Sequence, residues 1–176
     1  INELFVRLNS GVPVSTSEKR NANGGALSEK IQELCDSSLF FTKKIRIANR
    51  RFAHNDLALK LLMLETGEWD LTQKSVDKFL HDNRDFYSCR IAFENFEHNV
   101  NQIAEVFEDR DNLLSKKNII ITLYTVLPYI PVNKMRLFMQ YFEDYRTVAQ
   151  LEGNIADNMS LLSEFTRLLQ QGADKK

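Results

Sequence analysis

The sequence predicts an all-α fold in the form of a multi-helix bundle. Apolar residues recur at spacings of three and four along most of its 176 residues, which places them on one face of each successive helix. Hydrophobic residues make up 43% and charged residues 27%, the usage of an ordinary globular chain that is long enough to bury a core. The segment 119–127 is rich in β-branched residues, but it lacks alternation and predicts a buried helix.

Residues 1–82 are predicted to form a first helical lobe. Its opening helix ends at the breaker cluster 9–13, and Ser15 followed by Glu18 fits a capping box that starts the next helix. The other helices predicted for this lobe are an amphipathic one over 27–35, one buried on most faces over 57–64, and one capped by Thr72. The segment 39–52 between them has no regular pattern.

The polar run 82–85 predicts a boundary, so that residues 86–176 form a second bundle. Seven apolar residues then follow at strict 3-4 spacing: Phe86, Cys89, Phe93, Phe96, Val100, Ile103 and Phe107. We interpret this stripe as the core face of one long helix, with a seam between chains of a homo-oligomer or a groove for a partner helix as alternatives. Pro128 and Pro131 end the helix over 119–127, and the last two helices carry the stripes Met135, Phe138, Phe142, Tyr145, Ala149 and Ile155, Met159, Leu162, Phe165, Leu169.

Composition excludes several classes of protein. A net charge of −1 gives no global field for coating a polyanion, and the longest apolar run is too short to span a bilayer. Cys35 and Cys89 lie far apart and outside any C-x-x-C pair, which favours a reducing cytoplasm over a zinc site or a disulfide framework. The three histidines are scattered, and no Walker loop or G-x-S-x-G motif occurs, so we expect no metal, no cofactor and no complete catalytic site in this chain.

The strongest local charge cluster is a basic run without an intervening acid. Its cations are Lys43, Lys44, Arg46, Arg50 and Arg51. Five such side chains could neutralise several phosphates, so we predict them as DNA-binding residues. The alternative is a solvated surface whose aromatic neighbours, Phe40, Phe41 and Phe52, anchor it to the core instead of stacking on bases.

One motif near the start carries a family resemblance. Residues 5–15 read F-V-R-L-N-S-G-V-P-V-S, and residues 18–22 read E-K-R-N-A. This pattern over about residues 1–22 resembles the GmrSD-type restriction endonuclease N-terminal domain family. The Asn-Ser-Gly turn lets backbone approach a ligand, and the capped helix after it points N–H groups in the same direction.

The resemblance implies a nucleotide-dependent DNA restriction or phage-defence protein. It implies contacts to nucleotide or DNA phosphates from Asn9, Ser10, Arg20 and Asn21, for which caps and a surface ion pair of Arg20 are the alternative roles. The family's ParB-like half, with its D-G-Q-Q-R motif, and its HNH-like nuclease motif are not in this sequence. We therefore expect a helical piece of a longer protein, whose missing N-terminal half uses a nucleoside triphosphate and Mg. A non-enzymatic helical interaction module is the alternative.

Overall fold

The computed structural model describes residues 14–152, apart from the side chains of 21, 23 and 149–152, and it confirms the all-α prediction. Its α-helices are α1 (Thr16–Asn23), α2 (Ala26–Ser37), α3 (Ala53–Glu65), α4 (Gln73–Asp82), α5 (Arg90–Val106), α6 (Lys117–Val126) and α7 (Val132–Glu152). A π-helix, Phe40–Lys44, and short 3-10 turns connect them. None of these helices combines the length and the apolar character that crossing a bilayer requires. The helices predicted over 1–8 and 155–169 lie outside the described residues.

The predicted helix starts are confirmed at two places. The backbone N–H of Ser15 donates to Glu18 Oε2 over 2.6 Å, and the N–H of Glu18 donates to Ser15 Oγ over 3.2 Å, which is the reciprocal pairing of a capping box. Thr72 caps α4 by accepting from the N–H of Ser75. These side chains satisfy donors that the first turn of a helix leaves unpaired.

Helix α3 is buried on most faces, as the apolar composition of residues 57–64 predicts. Every residue from His54 to Met63 is buried, including the polar side chains of the first turn. The helix contacts α2, α4, α5 and α6, so each of its faces meets another helix.

The described residues on both sides of the predicted lobe boundary share one hydrophobic core. Leu27 and Leu62 belong to the same buried cluster as Phe96 and Leu123, and the N–H of Leu27 donates to the carbonyl of Arg84 in the boundary segment itself. This packing favours a single unit over residues 14–152. The division into 1–82 and 86–176 stays a prediction for the whole chain.

The stripe from Phe86 to Phe107 is core, which confirms our interpretation of it. Its residues from Cys89 onward are buried, and Phe96 and Phe107 are almost inaccessible. A groove for a partner helix on this face is therefore wrong, because the chain's own helices fill it. The helix also starts later than predicted: Phe86 has a left-handed backbone (φ 73°), and α5 begins at Arg90.

Helix α7 is present, but its core face differs from the prediction. Met135 and Met139 are buried, whereas Tyr145 is 61% exposed and Phe138 is 39% exposed. The helix carries apolar residues on two faces, and spacing alone does not decide which of the two meets the core.

Candidate nucleic-acid interface

The basic run lies on a segment that is fixed to a second loop, residues 107–114. The N–H of Arg46 donates to Leu114 O over 3.0 Å, and the N–H of Arg110 donates to Lys43 O over 2.7 Å. A third backbone bond joins Asp111 to Lys44 over 3.0 Å, and Ile45 and Asp111 form a parallel β-bridge. Residues 43–46 of the run are therefore held by long-range backbone pairing.

Apolar side chains of the same segment anchor it to the hydrophobic core. Phe40, Phe41 and Ile45 are fully buried, so the first two rings pack on the core and are not available to stack on bases. The ring Nε2 of His54 donates to Ile47 O over 2.7 Å, and the backbone N–H of His54 donates to Asn49 Oδ1 over 3.0 Å. Burial lowers the pKa of His54, and the nearby charges of Arg110 and Lys117 lower it further. The hydrogen bond to Ile47 raises the pKa, but its effect is smaller, so the ring is neutral near neutral pH.

Four of the five predicted DNA-binding side chains are exposed: Lys43, Arg46, Arg50 and Arg51. Lys44 is half-buried and pairs with Asp109 over 2.9 Å. Arg46 hydrogen-bonds the Asn112 side chain, and none of the four exposed cations has a carboxylate within ion-pair distance in residues 14–152. The pKa of Glu18 is lowered mainly by its hydrogen bonds with Ser15 and slightly by the charge of Arg51.

Arg110 adds a cation that the sequence did not predict. It is exposed, and its Nη1 donates to Ile45 O over 2.9 Å, which places it beside the basic run. The sequence shows no basic cluster at this position, because the flanking acids Asp109 and Asp111 make the local charge negative. We call Lys43, Arg46, Arg50, Arg51 and Arg110 the basic surface.

Unfavourable backbone conformations concentrate at the basic surface. Among the described residues other than glycine, four have positive φ, and three of them are Arg51 (54°), Phe52 (60°) and Arg110 (53°). Each left-handed residue of this kind costs about 1–3 kcal/mol, which the surrounding packing must offset. Strain of this kind is often found at functional sites.

Asp111 ties the loop 107–114 together and connects it to α7. Its Oδ1 accepts from the N–H of Leu113 over 3.0 Å, and its Oδ2 accepts from the N–H of Glu108 and from Arg136 Nε. Burial opposes ionisation of this carboxyl, but the bonds to Leu113, Arg136 and Glu108 outweigh it and lower its pKa. Asp111 is ionised near neutral pH, and its hydrogen bonds fix the conformation of the loop that carries Arg110.

This arrangement predicts a loss of stability in acid. Because the pKa of Asp111 is lower in the folded chain than in the unfolded one, its contribution is complete well above the unfolded value of about 3.9 and is lost as the pH falls through the folded value. The urea midpoint of an Asp111→Asn variant is expected to be lower than wild type at neutral pH and to fall less between about pH 5 and pH 3. An Asp85→Asn variant, changed at an exposed position, should keep the wild-type profile. Parallel profiles for Asp111→Asn and wild type would contradict the assignment.

Arg20, which the family resemblance places among the phosphate contacts, is buried in an ion cluster. Its Nη1 donates to Asp56 Oδ1 over 2.9 Å, its Nε donates to Asp77 Oδ1 over 2.5 Å, and its Nη2 donates to the Gln73 side chain and backbone. Only 6% of the Arg20 side chain is exposed, so its pairing with Asp56 is buried, whereas its second carboxylate partner, Asp77, is 50% exposed. Phosphate binding by Arg20 stays a prediction.

The other residues implied by the resemblance fall outside the description. Asn9 and Ser10 precede residue 14, and the side chain of Asn21 is not described. The structure therefore brings none of them together with Arg20 or with the basic surface. Their predicted contacts to phosphate stay predictions.

The described residues show no cluster of metal ligands and no free donor nitrogen on Arg20 for a phosphate. The donors of Arg20 are taken by protein acceptors, and no three His, Cys, Asp or Glu side chains converge to hold a metal in residues 14–152. A nucleoside triphosphate with Mg stays an expectation that the family resemblance implies for a part of the protein outside residues 14–152.

The histidines lie apart on separate helices. His54 is buried against Ile47, His81 is exposed beside Asp82, and His98 is exposed on α5.

Comparison with known proteins gives no relative. No family model, no curated protein and no solved structure matches this chain.

Proposed function

We propose that this chain is a helical, nucleic-acid-contacting part of a GmrSD-like DNA restriction or defence protein, and that it acts as a scaffold without a complete active site of its own. The observation that carries the proposal is the basic surface: exposed cations held by backbone bonds between two loops. The motif at residues 5–22 supplies the link to restriction. The missing half would perform the nucleotide-dependent chemistry.

The basic surface has the properties of a phosphate-binding site. Binding to a nucleic-acid backbone releases condensed counterions, and each neutralised phosphate makes a separate contribution to affinity. Exposed arginines without acidic partners lose no protein ion pair when they bind, whereas paired cations would have to exchange one partner for another. A segment whose backbone is already fixed also loses less entropy on binding than a free loop does.

Lys44 differs from its neighbours, because Asp109 already neutralises it. We therefore assign the contact to the exposed cations and give Lys44 a structural role at the edge of the surface. The two cysteines are free and buried, which supports a reducing cytoplasm as the proposed location.

Binding to DNA should be strongly dependent on salt. For the 176-residue chain and a short duplex, the slope of log affinity against log salt is expected to be about −4 to −5, since each of the five phosphate contacts of the basic surface contributes about −0.9. A variant with Lys43, Arg46, Arg50 and Arg51 changed to glutamine should lose most of this slope. Fluorescence anisotropy over a salt series, on duplex and on single-stranded DNA, measures it.

The control variant changes the same number of exposed cations elsewhere. Lys74, Lys78, Arg90 and Lys134 are exposed on α4, α5 and α7, and their change to glutamine alters the net charge by the same amount. This control should bind as wild type does. If both variants lose the same affinity for DNA, binding depends on net charge alone and the basic surface is not the contact. If the wild-type chain does not bind DNA at low salt, the proposal is overturned.

A helical interaction module is the second candidate function. The observation in its favour is an exposed apolar stripe on α7, formed by Leu137, Tyr141, Tyr145 and Val148. Under this function the stripe would be free in the whole chain and would bind a partner helix. Light scattering that shows concentration-dependent dimers, lost on changing Tyr141 and Tyr145 to serine, would favour it over the DNA proposal.

A further inference from the structure

A small cavity lies where α1, α2, α3 and α4 meet, beside the ion pair of Arg20 and Asp56. The space open to the centre of a water molecule measures about 10 Å³, which is room for about one water. Its polar lining consists of Ser17, Arg20, Ser28, Asn55 and Asp56, and aliphatic side chains complete it. Apolar cavities stay dry, whereas a buried water needs polar partners, so these side chains decide what the cavity binds.

Asn55 contributes a buried acceptor to this lining. The residue is only 7% exposed, and its Oδ1 has no hydrogen-bond partner in the part of the chain that the structure describes. A buried carbonyl oxygen that has lost its bonds to bulk water is destabilising unless another donor replaces them. Nearly all such groups in native proteins have a partner, either in the protein or in an ordered water. Asn55 Oδ1 therefore indicates a ligand that donates a hydrogen bond.

A chain of hydrogen bonds fixes the orientation of the Asn55 amide. Gln32 Nε2 donates to Asp36 Oδ2 over 2.7 Å, and since a carboxylate only accepts, the amide nitrogen of Gln32 has to face Asp36. The oxygen of Gln32 then faces Asn55 and accepts from Asn55 Nδ2 over 2.8 Å. Exchanging the oxygen and the nitrogen of the Asn55 amide would bring two acceptors together. The unpaired atom is therefore the oxygen.

We infer that this cavity binds one ordered water molecule, which donates a hydrogen bond to Asn55 Oδ1. A simple anion has no hydrogen to donate, and it would lie beside the Asp56 carboxylate. A small cation would lie beside the Arg20 guanidinium, and no three His, Cys, Asp or Glu side chains converge to hold a metal within residues 14–152. Water carries no charge, so neither group repels it.

Water also suits the two serines of the lining, because it accepts hydrogen bonds as well as donating them. The hydroxyl of Ser28 donates to Gly24 O over 3.5 Å, which is longer than a normal bond between two oxygens. A water in the cavity offers this hydroxyl a further acceptor. Through Asn55 and Ser17 it connects α3 to α1, the helix that contains residues 18–22 of the family-like motif.

A high-resolution crystal structure of the 176-residue chain tests the inference. We expect one water oxygen in this cavity, about 2.7–3.0 Å from Asn55 Oδ1. Three results would overturn the inference: no water at this position, an ion in its place, or a protein donor bonded to Asn55 Oδ1.

Two valine variants on α2 form a matched pair. Ser28→Val removes a hydroxyl from the cavity lining and adds carbon volume there, so it should displace the water. Ser37→Val makes the same change at an exposed position of the same helix, so its cavity should keep the water. A water that stays in Ser28→Val, or one that is lost from both variants, would show that the assignment to this cavity is wrong.

Nuclear Overhauser measurements between water and protein give an independent readout in solution, and they do not depend on the folding of either variant. In the wild-type chain, the side-chain amide protons of Asn55 are expected to show an effect to water with the sign of a bound molecule. The side-chain amide of Gln140, which lies at an exposed position of α7, should show no effect of that sign. If Asn55 behaves as Gln140 does, the inference is overturned.

Discussion

Replacing Asp56 by alanine is expected to destabilise the chain by about 3–5 kcal/mol. Asp56 is buried at the start of α3 and accepts from Arg20 Nη1 and from Lys117 Nζ, each over 2.9 Å. Removal of the carboxylate leaves these cations without it in a region where charge is poorly solvated. Arg20 keeps its bond to the half-exposed Asp77, so the loss combines the two lost charge-assisted bonds with the poor solvation of the cations that remain.

The protonation behaviour of Asp56 supports this assignment. Burial opposes its ionisation, but the charges of Lys117, Lys60 and Arg20 and the Lys117 hydrogen bond outweigh that effect, and the pKa of the carboxyl is lowered. A lowered folded pKa means that the cluster stabilises the fold above about pH 4 and weakens as the pH falls through the folded value.

Urea denaturation followed by far-ultraviolet circular dichroism measures the loss. Asp56→Asn keeps the shape and one acceptor, so its free energy of unfolding should lie between those of wild type and Asp56→Ala. Asp85→Ala, an exposed aspartate in the segment after α4, should cost no more than about 0.5 kcal/mol. If Asp56→Ala costs as little as Asp85→Ala, the cluster does not hold α1, α3 and α6 together.

The helices were predictable because their signals are local. A capping box needs only Ser15 and Glu18, and the burial of α3 follows from its apolar residues. The ion cluster was not predictable, because Arg20, Asp56 and Lys117 are brought together only when three helices pack. The family resemblance implies a phosphate contact for Arg20, with a surface ion pair as the alternative, whereas helix packing buries its side chain.

The candidate interface was predictable in part for the same reason. The run from Lys43 to Arg51 is contiguous, so its charge is visible in the sequence. Arg110 joins it through backbone bonds between distant segments, and its acidic neighbours cancel its charge in any local count. The pairing of Lys44 with Asp109 is likewise a tertiary feature.

Helix α7 shows a further limit of periodicity. Its sequence supports one apolar face through Met135 and Met139 and another through Tyr141 and Tyr145, and the two overlap at the spacing of a helix. Only the position of α5 and of the loop 107–114, which α7 contacts, decides which face is core. Periodicity therefore indicates that α7 is a helix but does not indicate which of its two apolar faces meets the core.

Replacing Phe96 by alanine is expected to cost about 3–5 kcal/mol, the usual loss for a fully buried phenylalanine. The Phe96 side chain has no exposed surface and packs edge-on against Phe93 and Tyr124, with ring centroids 6.0 and 6.3 Å away. The stripe that contains it joins α5 to α3 and α6, so the cavity left behind would lie where the first and second halves of the chain meet. Urea denaturation measures the loss.

The control for Phe96 lies on the same helix. Ile91 is 69% exposed on α5, and Ile91→Ala should change the free energy of unfolding by no more than about 0.5 kcal/mol.

The same two variants distinguish the two structural hypotheses for the stripe, a core face and a seam between chains. If the stripe were a seam between chains, Phe96→Ala would convert dimers to folded monomers and leave the monomer's helicity intact. Because the stripe is core, we expect Phe96→Ala to lower the urea midpoint of the chain at every protein concentration, with both halves of the molecule unfolding in one transition.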